Sequence, residues 1–298
     1  MIKSFADLMK EAKAKGPKKV AVAVAQDEVV LEALAMAIKE RIAAPLLFGD
    51  KKAIEEAAAK AKVSLAGWDI TDIKDMAEAS KAAVQAVSSG RADFLMKGLV
   101  ATSTFLKAVL DKEVGLRTGR LLSHVAVIEA PGYPKIVFLT DGGMCVKPDL
   151  AAKMDIVNNA VDVAHKLGIE KPKVAILAAV EVLNPEMPET ADAAELSKMA
   201  ERGQLKGCIV DGPLALDLAV SAEAAQHKKI TSPVAGDADI MVAPEIACGN
   251  VLAKGLIYMA GAKAAGLIAG AAKPVVMLSR SDSKDQKLNS IALGVVSC

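Results

Sequence analysis

The sequence predicts an α/β fold with mostly parallel sheet and flanking helices, because short apolar runs of strand length alternate many times with longer helical patterns. The strand-like runs are apolar nearly throughout, which suits sheets covered by helices on both faces. The 298 residues allow one large domain or two lobes. A chain of this size buries roughly 75% of its unfolded surface, so it needs no disulfide or metal for stability.

The opening stretch MIKSFADLMKEAKAKGPKK is an amphipathic charged helix without the apolar core of a signal peptide. Residues 19–25 (KVAVAVA) read as a buried strand, after which Leu31, Leu34, Ala35, Ile38 and Ile42 recur at helical spacing. Further strands are expected at residues 45–48, 92–96, 121–128, 136–139, 174–179, 208–210, 240–242 and 274–278. Residues 149–167 read as a helix with Met154, Val157, Val161 and Ala164 on one face, closed by Gly168 in a left-handed conformation. The most apolar stretch, residues 255–272, contains Lys263 and four glycines and reads as a buried helix, not a membrane span. Thr140-Asp141-Gly142-Gly143 breaks the pattern after a strand. It places a lobe boundary near residue 140, with a second crossing near Gly270. One lobe then comprises residues 1–139 plus 270–298, and the other 140–269.

The formal net charge is +1, which gives no reason to propose a nucleic acid or a membrane as partner. Of the 37 basic residues only six are arginines: Arg41, Arg91, Arg117, Arg120, Arg202 and Arg280. Guanidinium is the better bidentate clamp for phosphate, so their positions matter. Cys145, Cys208, Cys248 and Cys298 form no C-x-x-C pair, which argues against zinc and redox motifs and suits a reducing cytoplasm.

Five stretches are candidates for chemistry. In the run from Met96 to Thr104 a strand ends, Gly98 permits a tight turn, and Thr102, Ser103 and Thr104 open a helix. This is either an anion-binding helix start, with Lys107 one turn on, or an ordinary N-cap. Arg117 and Arg120 sit beside glycines just before a strand, as a phosphate or carboxylate clamp or as plain surface arginines. His124, inside that strand, reads as structural. Asp211 and Asp217, with Asp237 and Asp239 further on, could hold a metal, but carboxylates so spaced more often cap helices and no His/Asp/Glu triad of metal-ligand spacing is present. Asn250 and Lys254 lie one turn apart on a helix that starts near Gly249, which suits phosphate contact. The fifth is Ser279-Arg280 at the end of a buried strand, followed by Ser281-Asp282-Ser283. Ligands of α/β folds sit at this carboxyl edge, where a serine hydroxyl can serve an oxyanion and an arginine a phosphate.

Taken in order, MKGLVATSTFLKAVLDKEVGLRTGRLLSHVAV, FLTDGGMCVKPDL, VDGPLALDLAVS, GNVLAKGL and LSRSDSKDQKLNSIAL resemble the phosphate acetyl/butyryl transferase family, its butyryl branch in particular. The resemblance implies a two-lobed fold of the isocitrate/isopropylmalate dehydrogenase type, with an active cleft between lobes and a homodimer or higher oligomer. It implies transfer of a short acyl group between CoA and inorganic phosphate, so that CoA thioester, acyl phosphate and phosphate are the partners. CoA is then a substrate, with no permanently bound cofactor and no metal. It further implies that Ser279 and Arg280 are catalytic and that Arg120 binds substrate. Lys107 stands where the acetyl branch has an arginine. The proposed base of that branch falls on Gln286 here, with Asp285 and Asp282 nearby. Other readings are a phosphate acetyltransferase, a metal- and NAD-dependent decarboxylating dehydrogenase of the same fold, and a non-catalytic CoA-binding protein.

Overall fold

The computed structural model describes residues 2–277, 279 and 281–298. The chain divides into a flanking unit, Ala6–Arg120 with Ala265–Cys298, and an inserted unit, Met1–Phe5 with Leu121–Ala264.

The flanking unit starts with α1 (Phe5–Lys15). It then alternates β1 (Lys18–Ala23), α2 (Glu28–Lys39), β2 (Ala43–Gly49), α3 (Lys51–Ala61), β3 (Asp69–Asp72), α4 (Met76–Ser88), β4 (Phe94–Lys97) and α5 (Thr102–Val109). Val20, Ala21, Val22 and Ala23 are fully buried, as expected of a strand covered on both faces. From β1 the chain steps outward to β2 and β3, then returns to lay β4 on the opposite side of β1; all these pairings are parallel. Asp27, Asp50 and Asp75 cap α2, α3 and α4, each carboxylate accepting backbone N–H groups of the first turn.

The inserted unit holds β5 (Ser123–Glu129), β6 (Val137–Thr140), α6 (Leu150–Lys166), β7 (Lys173–Leu177), α7 (Pro188–Glu201), β8 (Ile209–Leu214), α8 (Leu216–Val220), α9 (Ala222–His227), β9 (Ile240–Val242) and α10 (Ile246–Lys254). Its strand order is β5-β6-β9-β7-β8, antiparallel between β5 and β6 and parallel elsewhere. The Asp141 carboxylate, 2% exposed, organises the break after β6. It accepts N–H groups of Gly143 at 2.7 Å, Met144 at 2.8 Å and His124 at 2.8 Å. The expected helix end is also present, with Gly168 at φ 84°.

The chain returns to the flanking unit as β10 (Lys263–Ala269), β11 (Val275–Val276) and α11 (Lys284–Val296). There β11 pairs parallel with β4 and antiparallel with β10, and the order is β3-β2-β1-β4-β11-β10. No helix among the described residues is long and apolar enough to cross a membrane.

Four expectations need correction. Residues 255–272 are not one buried helix. A π-helical turn, Gly255–Met259, gives way at Gly261 (φ 69°) to β10, whose last six residues are all buried. A strand buried on both faces carries no alternation, so its composition cannot distinguish it from a buried helix. The strand expected at 208–210 runs on through Pro213 to Leu214, which an edge strand tolerates. The α10 helix begins at Ile246, so Gly249 and Asn250 lie inside it. Finally, the chain changes unit at 120/121 and 264/265, where the sequence pattern placed boundaries at 139/140 and 269/270. The cause is the register of β6 on β9 (Phe138↔Ile240), which with the β5–β6 hairpin ties residues 121–140 to the inserted unit.

Candidate active site

In the flanking unit the chain leaves β1 for β2 on one side and later occupies β4 on the other. The strand order therefore reverses between β1 and β4, and the carboxyl ends of those two strands frame the crevice where α/β sheets bind ligands. The backbone there is tightly fitted. The Gly98 amide donates to the Ala23 carbonyl at 2.9 Å and the Leu99 amide to the Val24 carbonyl at 2.7 Å. A Cβ at Gly98 would stand 2.2 Å from the Val24 oxygen, so only glycine lets β4 leave this close to β1. Val24 is fully buried at φ 58°, a left-handed conformation that costs a β-branched residue about 1–3 kcal/mol. Strain of that kind concentrates at functional sites. Beside it the Gln26 Oε1 is a buried acceptor without a partner among the described residues. Neither Val24 nor Gln26 is singled out by the sequence. The partly filled turn formula Gly-x-x-x-Thr-Ser-Thr marks Gly98 only as a glycine, not as a close approach.

The turn from Gly98 leads into α5. Thr102 is its first residue, the N-cap is Ala101, and no side chain caps it. Thr102 and Ser103 are exposed, Thr104 is half-buried, and Lys107 is exposed in the last turn. The expected helix start is present, and its hydroxyls do not act as caps.

Next to β4, β11 ends at Val276 and the chain emerges at Ser279. Arg280 lies outside the described residues. Charged side chains hold Ser279 by its backbone. Its amide donates to Asp282 Oδ2 at 2.8 Å and its carbonyl accepts from Lys287 Nζ at 3.1 Å. The exposed hydroxyl is 2.9 Å from that of Ser281. Asp282 is thus engaged in the turn, whereas Asp285 is exposed in the first turn of α11. Gln286 completes a capping box: it accepts the Ser283 N–H at 2.9 Å while Ser283 Oγ accepts the Gln286 N–H at 3.3 Å. Gln286, where the resemblance implied the place of a base, has a capping task here. Lys287 is 3% exposed. Burial lowers its pKa, against the opposing charges of Asp282 and Asp27.

Arg117 and Arg120 are exposed in the segment that precedes β5. Two backbone-directed bonds fix this segment to the β10–β11 turn: Ala272 N–H to the Leu116 carbonyl at 2.9 Å, and Thr118 Oγ1 to the Gly270 carbonyl. Thr118 Oγ1 also accepts the Arg120 N–H at 3.3 Å. Ser279, Asp282, Asp285, Arg120, Arg117, Lys107 and the Thr102–Ser103–Thr104 start all belong to the flanking unit; Asn250 and Lys254 belong to the inserted unit. Asn250 Nδ2 donates to the Gly142 carbonyl at 3.0 Å and ties α10 to the loop after β6, while Lys254 is exposed at the end of α10.

The inserted unit has a cavity of about 520 Å³, lined among others by Lys147, Lys153, Glu189, Asp192, Glu245 and Cys248, none of them expected from the sequence. Of the aspartates weighed as ligands, Asp237 and Asp239 are ion-paired with Lys135 and Lys173. Among the described residues no cluster of three or more His, Cys, Asp and Glu side chains is placed to hold a metal. Burial, helped by Asp141, pushes the Cys145 thiol up to about 12, and burial also raises Cys208 and Cys248. These three thiols are protonated at neutral pH and poor nucleophiles.

The sequence profile of phosphate acetyl/butaryl transferase matches residues 4–85 and 74–295. The phosphate butyryltransferase of Clostridium acetobutylicum is 53% identical over 296 residues, covering 99% of this chain and 98% of that protein. The phosphate acetyltransferase of Thermotoga maritima is 47% identical over 291 residues, covering 97% of this chain and 98% of its own length. Among solved structures, a branched-chain phosphotransacylase from Enterococcus faecalis superposes with a TM-score of 0.84 at 36% identity, covering 94% of this chain and 98% of that one. Matches of this identity over nearly full lengths leave one assignment: the chain belongs to the phosphate acetyl/butaryl transferase family.

Proposed function

We propose that the protein transfers a butyryl group between CoA and inorganic phosphate: butyryl-CoA and phosphate give butyryl phosphate and free CoA. The observation that carries this reading is the 53% identity to a phosphate butyryltransferase over 99% of the chain. It gains physical support from the serine at the carboxyl edge of β11, one strand from the crevice between β1 and β4.

The transfer is direct. A phosphate oxygen attacks the thioester carbonyl carbon, the tetrahedral oxyanion forms, and the C–S bond breaks to release the CoA thiolate, which takes up a proton. Ser279 Oγ–H donates to the oxyanion. Arg280 and Arg120 hold phosphate as bidentate clamps, with Arg117, Lys107 and the uncapped α5 start adding positive potential. Asp285, exposed on the first turn of α11, is the better placed of the two carboxylates for proton transfer, because Asp282 is occupied by the Ser279 N–H. The raised thiol pKa values of Cys145, Cys208 and Cys248 support a path without a cysteinyl acyl-enzyme. CoA enters as substrate and no cofactor stays bound. Four free cysteines support a cytoplasmic setting. Val251, Tyr258 and Met259, 71%, 62% and 90% exposed, supply apolar surface for a homo-oligomer.

Relatives named for acetyl and for branched-chain substrates make chain length the open variable. The test is thiol release from acetyl-, propionyl-, butyryl- and isobutyryl-CoA with and without phosphate. Fastest phosphate-dependent release from butyryl-CoA is expected; fastest release from acetyl-CoA would reassign the substrate.

A further inference from the structure

We infer that Lys287 is a positioning residue for the transfer, aiming the Ser279 hydroxyl by pinning the Ser279 carbonyl from inside α11. This inference rests on the role given to Ser279 above.

The geometry is specific. Lys287 lies one turn into α11, 3% exposed, where an ammonium is costly unless it has partners. Its Nζ donates to the Ser279 carbonyl at 3.1 Å, eight residues back along the chain. The Ser279 amide is held at 2.8 Å by Asp282. Both backbone groups of residue 279 are therefore anchored by ionised side chains, and charge-assisted bonds are the strong ones. Fixing the amide and the carbonyl fixes the peptide planes on either side of Cα and so the Cα–Cβ bond, and the 2.9 Å contact with the Ser281 hydroxyl then sets the rotation of Oγ about it.

The anchor is rigid at its other end. Helix α11 packs against α2, and its residues Ile291, Ala292, Leu293 and Val295 are fully buried. The acidic groups acting on the Lys287 charge are Asp282 from the turn and Asp27, the N-cap of α2. Ser279 is exposed whereas Lys287 is not, so the lysine reaches the reaction through the serine and not by touching substrate. No feature of the sequence separates this lysine from its thirty neighbours of the same type, since its burial arises from the α2–α11 contact.

A kinetic double-mutant cycle tests the inference, with Lys287→Met, Ser279→Ala and the double variant assayed on butyryl-CoA and phosphate. Lys287→Met should lower kcat by about 10–10²-fold, the scale of a misplaced catalytic group. Both KM values should change by less than about threefold, and the double variant should be no slower than Ser279→Ala, because the lysine acts only through the serine. Wild-type kcat in Lys287→Met overturns the inference, as does a double variant slower than Ser279→Ala by the full Lys287→Met factor. The outcomes also separate the two readings. Wild-type turnover in Ser279→Ala removes the serine from the chemistry, and this inference with it. A slow Ser279→Ala beside a fast Lys287→Met removes only the lysine. If Lys287→Met does not fold, Lys287→Gln, which keeps a donor, enters the same cycle. Loss of fold in both assigns the lysine to stability alone and overturns the positioning role.

Discussion

Gly98→Ala should damage the crevice between β1 and β4 out of proportion to the single methyl it adds. The new Cβ would stand 2.2 Å from the Val24 oxygen, 2.7 Å from the Ala23 oxygen and 2.9 Å from the Val24 carbonyl carbon. All three are backbone atoms, so no side chain can rotate away, and the ends of β1 and β4 must part. Overpacking of this kind costs about 1–3 kcal/mol. Parting the strands also weakens two hydrogen bonds, at 2.9 and 2.7 Å, each contributing about 0.5–1.5 kcal/mol. The total, about 2–6 kcal/mol, corresponds to a fall in Tm on the order of 5–20 °C. The uncapped start of α5 moves with Gly98, so KM for phosphate should rise as well. Gly255→Ala is the control: its Cβ meets nothing within 4 Å at a helical φ of −58°, and its Tm should stay within about 2 °C of wild type. Calorimetry and phosphate-dependent thiol release on the three proteins make the comparison. A Gly98→Ala protein that melts with the wild type refutes the close-approach argument.

Asp192→Ala strands the buried Lys153 ammonium, now 2.6 Å from the carboxylate, and should cost about 1–3 kcal/mol by calorimetry, with Lys153→Met in the same chain recovering most of it. For Asp237, burial raises the pKa, but hydrogen bonds from Lys135 and Lys173 outweigh it and the net shift is downward. A carboxylate with a lowered folded pKa stabilises above its unfolded value near 3.9 and loses that contribution as pH falls through the folded value. The wild-type Tm should therefore drop below about pH 4 more steeply than that of Asp237→Asn; parallel curves would show that the ion pairs contribute nothing. Without phosphate, labelled CoA should not exchange into butyryl-CoA, because direct transfer forms no acyl-enzyme; exchange at the turnover rate would require one.

Much of the fold is legible in the sequence where burial is two-sided and the chain turns sharply. KVAVAVA is short and rich in β-branched valine, which favours a covered strand over a buried helix, and Gly168 past the last apolar position marks a left-handed helix end. The polar edge strand β3, Asp-Ile-Thr-Asp, has no such signal, because half-exposed edges need no apolar run. Residues 255–272 mislead for the opposite reason, being apolar enough for either element. At the site, Ser279 is legible as the exit of a buried strand. Lys287 and Gln26 owe their surroundings to packing between elements distant in sequence. The left-handed φ of Val24 runs against the propensity of valine, so a reading by propensity passes over it.

The most direct test is phosphorus NMR of wild-type protein mixed with butyryl-CoA and inorganic phosphate, read against free thiol in the same tube. The predicted result is one butyryl phosphate for each thiol released, and no release when phosphate is withheld. Thiol released at the same rate without phosphate, or with butyrate in place of butyryl phosphate, would contradict transfer to phosphate.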